Sequence, residues 1–288
     1  MSESLIWDAL LRIPLPILRW SCHLASQLHY RLDQRHVLEC QRMVECCENP
    51  NWNAKNIVRG MYQSLWKMPI DMARFGRLKD QDIDLLIEDL DLFMDDLKEI
   101  PEKQGVVFVA AHHGPWELCA QTISRLFRPT ISIYKPTKRD WINRFFVAAR
   151  HRHRQTTVPK DGGMLTLFKH LKRGGSVGLV IDQHGGTEGV ESEFLGKPCS
   201  SWDSAVLLAS KTKSPIIPVG LIRKGDGYRF LFRPAIEPPA PSKEKIDLSP
   251  WVKKVDASLS SMIEEAPEQW MWLGRRWGRD FEARMNKK

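Results

Sequence analysis

The run Val106-Val107-Phe108-Val109-Ala110-Ala111 is apolar without interruption and rich in β-branched residues, and it breaks at once into His112-His113-Gly114-Pro115-Trp116-Glu117. A strand with no polar alternation must be covered on both faces, as happens in parallel sheets flanked by helices. Further strands read at 130–134, 156–159, 176–181, 216–222 and 228–233, with helical periodicity between them near 116–127, 141–154, 163–173 and 203–213. This alternation predicts an α/β fold with a mainly parallel central sheet flanked by helices. Pro-rich 234–250 reads as a loop, and a last helix is expected near 251–265.

Upstream, from Leu5 to about Leu97, apolar residues recur at three- and four-residue spacings, with breaks at Asn49-Pro50-Asn51 and near 76–79. An all-helical N-terminal region over 1–98 is therefore expected to precede an α/β domain over 99–288. The first segment, roughly 5–30, mixes Leu, Ile, Trp7 and Trp20 with Arg12 and Arg19. Two readings fit it: an amphipathic helix lying in a membrane interface, or a helix covering the core. No stretch reaches the about 20 apolar residues a bilayer span needs, and Arg12, Pro14, Pro16 and Arg19 interrupt anything like a secretory signal. With 288 residues, 42% hydrophobic and 27% charged, the chain is neither disordered nor a polytopic membrane protein. Its six cysteines form no framework, which suits a reducing compartment.

The net charge of +8 is concentrated: between Tyr134 and Gly175 stand eleven Lys or Arg against two Asp. Such a region calls for an anionic partner. No helix-turn-helix, RNA-recognition or zinc signature accompanies it, so an anionic lipid surface and an acidic carrier protein fit better than nucleic acid. No metal-ligand spacing and no cofactor motif is expected either. Gly174-Gly175-Ser176-Val177-Gly178 fits the nucleophile-elbow pattern only formally, because its Ser lies between a helix and the following strand rather than after one. The tail Trp270-Met271-Trp272-Leu273-Gly274-Arg275-Arg276-Trp277 suits either the lipid headgroup level or a tryptophan core with solvated arginines.

The chemistry is expected where the first strand ends. Pro115 favours the first helical position, so Glu117 falls in the opening turn of a helix, able to reach back toward His112 at the strand's carboxyl edge. Open α/β sheets bind ligands at that edge. A carboxylate beside an imidazole fixes its tautomer and stabilises its cation, leaving the other nitrogen to take a proton. The spacing alone fits a strand-end histidine and an ordinary first-turn glutamate equally well. His113 is the alternative base, although a strand-end neighbour points to the opposite face. Asp182 follows the apolar strand 177–181 at another carboxyl edge, where it could also simply cap the next turn.

The ordered set His112 to Glu117, Tyr134-Lys135-Pro136, Arg150, Asp182-Gln183, Glu188-Gly189-Val190 with Phe194-Leu195-Gly196, and Pro267-Glu268-Gln269-Trp270-Met271-Trp272 resembles the bacterial lipid A biosynthesis lauroyl/myristoyl acyltransferase family, over most of the chain. That family is related to the glycerolipid acyltransferases, which share an H-x-x-x-x-D/E motif. The resemblance implies transfer of a fatty acyl group from a carrier thioester, acyl carrier protein rather than coenzyme A, to a hydroxyl of a membrane glycolipid. It implies a peripheral or monotopic enzyme at the cytoplasmic face of the inner membrane. His112 would be the base and Glu117 its partner, with Arg150 facing the reaction centre or substrate phosphates. His113, Asp182, Gln183, Glu188 and Gly189 would bind or orient substrate, Asp182 by holding Arg150 or the substrate. Pro115 stands where the family often has Asn, and no glycine follows Arg150 closely; both departures bear on the acceptor more than on catalysis. A lysophospholipid or another glycolipid remains the alternative acceptor, and a membrane-associated protein without turnover the alternative outside enzymes.

Overall fold

The computed structural model describes residues 11–134, 150, 155–241 and 246–278, with Ala9 and Glu244. Helices α1 (Leu15–Leu32), α2 (Gln34–Cys46), α3 (Ala54–Arg77) and the short α4 (Asp80–Asp84) lead to β1 (Ile87–Glu88) and α5 (Leu90–Lys98). Then come β2 (Val106–Ala110), α6 (Trp116–Leu126), β3 (Thr130–Tyr134), β4 (Thr156–Pro159), α7 (Lys160–Lys172) and β5 (Ser176–Val180). A hairpin, β6 (Val190–Phe194) and β7 (Lys197–Ser201), precedes α8 (Ser204–Thr212), β8 (Ile216–Lys224), β9 (Gly227–Phe232) and α9 (Ser249–Ile263). The seven-stranded sheet has the order β1-β9-β8-β2-β5-β3-β4. Every neighbouring pair in it is parallel except β8–β9.

The α/β architecture is as expected, and the N-terminal region is helical apart from β1. Those two residues run parallel to β9, with Ile87 opposite Tyr228. Two residues carry no detectable period, which is why helical periodicity runs over them. The one helix expected from 5 to 30 is interrupted: Leu11 and Arg12 are helical, the chain breaks at Ile13 and Pro14, α1 runs on from Leu15, and Asp33 separates it from α2. The Asp33 carboxylate accepts hydrogen bonds from the Tyr62 hydroxyl (2.8 Å) and His36 Nδ1 (2.6 Å), fixing the corner between α1, α2 and α3. The helix expected near 141–154 lies outside the described residues except at Arg150, as do Lys135, Lys138, Arg139, Arg144, Arg152 and Arg154 of the basic region.

The central strands are buried as their composition demands: Val106, Val107, Phe108 and Val109 are at most 2% exposed. One face of the sheet packs a cluster that joins Val107 and Val109 to Val37, Met43, Val58 and Tyr62 of α2 and α3. The other joins Val106 and Phe108 to Met72 and Phe75 of α3 and to Phe93 of α5. Helices before residue 98 and strands after it thus share both hydrophobic clusters, each large side chain adding about 1.5–3 kcal/mol of apolar burial. The tail is core rather than surface. Trp270, Trp272 and Trp277 are at most 2% exposed, so of the two readings of that segment the structure takes the tryptophan core; its arginines are not both solvated as that reading expected, Arg276 being 1% exposed.

Candidate active site

Parallel pairing brings the reacting groups together. In the β2–β5 register Ala110 stands opposite Val180, and the chain continues in step, Ile181 N donating to the Ala110 carbonyl. Two residues past each strand end stand His112 and Asp182. The Asp182 carboxylate accepts from His112 Nδ1 at 2.7 Å and from the His112 backbone N–H at 2.9 Å. The indole Nε1–H of Trp270 donates to the same carboxylate at 2.7 Å. The partner of His112 is therefore Asp182 and not Glu117, a correction to the reading from spacing. Glu117 points elsewhere because its helix starts at Trp116, after a Gly114 turn that leads the chain away from the strand end.

Gly114 adopts φ +57°, and a Cβ on it would stand 2.1 Å from the Leu221 carbonyl oxygen. No side chain fits there, and the positive φ favours glycine in any case. The turn sends Glu117 toward Arg150, which grips it through two parallel bonds, Nε to Oε2 at 2.7 Å and Nη2 to Oε1 at 2.5 Å. Such a fork is the strongest pairing geometry a carboxylate has. The guanidinium carbon lies 6.0 Å from the Tyr134 ring centroid. The Asp182 carboxylate is bonded by His112 and Trp270 and the Arg150 fork is on Glu117, so of the two expectations for Asp182, holding Arg150 or the substrate, the first gives way to holding His112.

Electrostatics follow this wiring. Burial pulls the His112 imidazole down, yet the Asp182 charge and hydrogen bond, with Glu117 adding through space, outweigh it and hold the group above its ordinary value. For Asp182 burial disfavours the anion, but His112 and the donors from Trp270 and the His112 backbone keep it below the usual carboxylate range. Burial likewise disfavours the Arg150 cation, and Glu117 more than compensates, raising it. Three N–H donors on one carboxylate hold it ionised. With Nδ1–H committed to Asp182, the neutral His112 ring carries its lone pair on Nε2. The ring is 21% exposed and meets Trp116 edge to face at 5.2 Å.

His113 is not part of this site. It is 2% exposed and its Nε2–H donates to the Ala266 carbonyl at 2.9 Å. Burial, only partly offset by that bond, pushes it down to about 4, so it is a neutral core histidine and not a substrate-orienting group. Gln183 is exposed just past Asp182, its carbonyl accepting from Arg276 Nη1 at 3.2 Å. Glu188 is exposed in the 3-10 turn Gly186–Glu188. Gly189 borders a hollow of about 1090 Å³ between the β6–β7 hairpin and α9, with Leu195, Lys253 and Glu264 among its other walls. His112, Glu117 and Asp182 do not border this hollow. Gly189 thus leads into the hairpin at the rim of that hollow, with Glu188 in the turn just before it.

Cys119, on the helix that carries Glu117, is buried in apolar surroundings that push its thiol up to about 12, which leaves it a poor nucleophile. Among the described residues no three His, Cys, Asp or Glu side chains gather as a metal would require. What the arrangement offers is a carboxylate-oriented imidazole whose second nitrogen is a base, beside a carboxylate-anchored cation. That is the equipment for activating a hydroxyl and stabilising a developing oxyanion. Trp270 went unread as part of it, since its composition signal was that of a membrane-interface or core aromatic.

A mostly parallel sheet with a histidine–aspartate pair at its carboxyl edge, and an arginine held by the first-turn glutamate of the helix that follows, has the parts of a group-transfer or hydrolytic site. Residues 5–279 match the family model of the bacterial lipid A biosynthesis acyltransferases, and the chain belongs to that family of acyl-transferring enzymes. It is 25% identical to a lipid A biosynthesis acyltransferase of Haemophilus influenzae, over 98% of this chain and 90% of that protein. Shorter matches join it to two Escherichia coli proteins: a lipid A biosynthesis palmitoleoyltransferase, 24% identical over 64% of this chain and 59% of the relative, and a lipid A biosynthesis lauroyltransferase, 26% identical over 61% and 56%.

Proposed function

We propose that the protein transfers a fatty acyl chain from a carrier thioester, acyl carrier protein in the first place, to a free hydroxyl of a lipid A precursor at the cytoplasmic face of the inner membrane. The observation that carries this reading is the 2.7 Å bond from His112 Nδ1 to a buried Asp182, which leaves Nε2 as a base. The acceptor hydroxyl gives its proton to Nε2 while its oxygen bonds to the thioester carbonyl carbon. The resulting tetrahedral oxyanion is met by the Arg150 cation, held in place by Glu117. Collapse breaks the carbon–sulfur bond, and the imidazolium returns the proton to the leaving thiolate. The substrate hydroxyl here takes the role a serine has in a Ser-His-Asp triad.

The membrane side of the reading rests on α1. Leu18, Cys22 and Ser26 face the protein, while Ile17, Trp20, Leu24, Leu28 and Leu32 are 54–74% exposed along the other side. Their spacings of three and four place them on one stripe. Helix α1 thus has two apolar faces, one spent on α3 and one open to a bilayer interface, with Arg12 and Arg19 exposed nearby for anionic headgroups. No helix among the described residues is long and apolar enough to cross a membrane. The relatives' names differ in acyl chain, so chain length is left to experiment. The test is mass spectrometry of membrane lipids with and without the gene, paired with transfer by purified protein from acyl carrier protein to lipid A precursors. A lipid A species one acyl chain lighter in the deletion strain is expected. A change confined to phospholipids would move the acceptor to a lysophospholipid, and no change with no transfer in vitro would leave a non-catalytic membrane protein.

A further inference from the structure

Three tryptophans of the C-terminal segment lie within 6.2 Å of one another, ring centre to ring centre, all buried, and their indole N–H groups do three different things. Trp272 donates to the Pro267 carbonyl at 2.9 Å. Trp277 Nε1 has no hydrogen-bond partner among the described residues. Trp270 donates to Asp182. An indole N–H donates and cannot accept, so in that place it favours the ionised form of the carboxylate.

The carboxylate needs such an outside anchor. Its other two bonds both come from His112, one from the ring and one from the backbone. A carboxylate held by a single residue turns with that residue. Trp270 supplies the independent third point, on the oxygen that also takes the His112 backbone N–H, and so leaves Oδ1 facing Nδ1. The indole is itself fixed by Phe194 at 5.5 Å and by the two neighbouring tryptophans. Its backbone is fixed to the same loop: Met271 N donates to the His112 carbonyl, Gly114 N to the Gln269 carbonyl, and His113 Nε2 to the Ala266 carbonyl, each at 2.9 Å. Residues 266–271 thus run beside 112–114 and hold the imidazole and its carboxylate in one frame.

We propose that Trp270 is a positioning residue for acyl transfer, its indole N–H locking Asp182 so that His112 stays in the Nδ1–H tautomer with Nε2 unprotonated. This rests on the reading of His112 as base. Among the described residues the charged and titratable groups around the imidazole are Asp182, Glu117 with Arg150 beyond it, and the neutral His113 one residue along; only Trp270 is altered in the test. The variants are Trp270→Phe and, to keep both rings, replacement of residue 270 by the isostere 3-benzothienylalanine, in which sulfur takes the place of N–H. Trp272→Phe, whose lost N–H serves only a backbone carbonyl, reports on packing. Nitrogen-15 NMR of labelled histidines, with the His112 signals assigned by their loss in His112→Ala, reads the tautomer without any turnover.

The expected result is a single Nδ1–H tautomer in the wild type and in Trp272→Phe, and a mixture in both residue-270 variants. Hydrogen bonds to charged groups are the strong ones, so kcat should fall roughly ten- to a hundredfold in those variants with KM within about twofold, while Trp272→Phe loses thermal stability and keeps kcat. A pure Nδ1–H tautomer in the benzothienyl protein, or an equal kcat loss in Trp272→Phe, overturns the proposal. Should the wild type transfer no acyl chain while the tautomer still responds, the functional reading fails and the positioning role stands.

Discussion

Two arginine–carboxylate pairs lie near the same loop and differ in what surrounds them. At the sheet edge Arg150 and Glu117 keep 15% and 9% of their side chains exposed. Below it Arg276 and Asp256 keep 0% and 2%. Arg276 spends its donors on framework: the carbonyls of Gln183 and Ser200, the Ser201 hydroxyl and Asp256. At Asp256 burial outweighs even that arginine and pushes the carboxyl up, whereas at Arg150 the partner outweighs burial. The core pair therefore adds little as electrostatics and works as a joint, tying the turn after Asp182 to β7 and α9. The edge pair is a strong charge arrangement with access to solvent, which is what a reaction centre needs and a core does not.

The sharpest way to break this contrast is to remove the base. His112→Ala should cut kcat by about 10²–10⁴-fold, the usual range for acid–base catalysis, with little change in thermal stability because the ring is partly exposed. Asp182→Asn should cost nearly as much, since an amide can hold the ring in the wrong tautomer. Retention of more than about a tenth of wild-type kcat in His112→Ala lies below that range and would remove the edge from the chemistry.

The pairs themselves come next. Arg150→Ala should lower kcat by roughly 10²–10³-fold, as loss of one oxyanion donor does, with Arg150→Lys recovering part because the charge returns without the fork. Arg276→Ala should instead destabilise the fold by about 3–5 kcal/mol, the cost of leaving a buried carboxylate unpaired. Kinetics and urea unfolding on both variants check the division. If Arg150→Ala unfolds like Arg276→Ala, the edge pair is structural as well.

What could be read from the chain beforehand divides along similar lines. Strands β2 and β5, the turn at Gly114 and helix α6 follow from local runs and breakers, so the two carboxyl edges and their His112 and Asp182 were legible. Who pairs with whom was not. Glu117 is five residues from His112 and Asp182 seventy, yet the sheet order puts β5 beside β2, and register then decides. That order is set by crossovers over the whole domain, not by any residue near the site. The hairpin escaped for a different reason: in Val190-Glu191-Ser192-Glu193-Phe194 the inward positions include a serine, which blurs the alternation. Its turn, Leu195-Gly196, with φ of 49° and 72°, was the readable clue.

The neighbouring histidines make the next test, through stability. His113 is held down to about 4, against about 6.5 when unfolded. Between those values the unfolded chain binds the proton and the native one does not, so stability is full above about pH 6.5 and falls as pH drops toward 4, by ~3 kcal/mol in all from this group. Urea unfolding from pH 7 to 4 reads it. In His113→Gln the slope over that window should flatten, whatever the variant's absolute stability. An unchanged slope would mean that other groups set it.

The smallest effect expected is on the pH profile of catalysis, and it runs the opposite way. His112 lies above its ordinary value because Asp182 and, more weakly, Glu117 favour the imidazolium against burial. As the base it must be neutral, so kcat/KM should rise with pH along a limb whose midpoint stands above about 6.5, the unperturbed value. Glu117→Gln removes one of the two anions that favour the cation and leaves Arg150 less neutralised beside the ring. The residual activity of that variant should then show its limb displaced to lower pH, while the much larger fall in kcat from the loosened arginine is common to all pH values. Asp182→Asn should displace it further in the same direction, Asp182 being the nearer and hydrogen-bonded anion. A limb that stays put in both variants would assign it to a group other than His112. A limb displaced by Glu117→Gln and not by Asp182→Asn would reverse the two carboxylates' roles, restoring the pairing that spacing alone suggested.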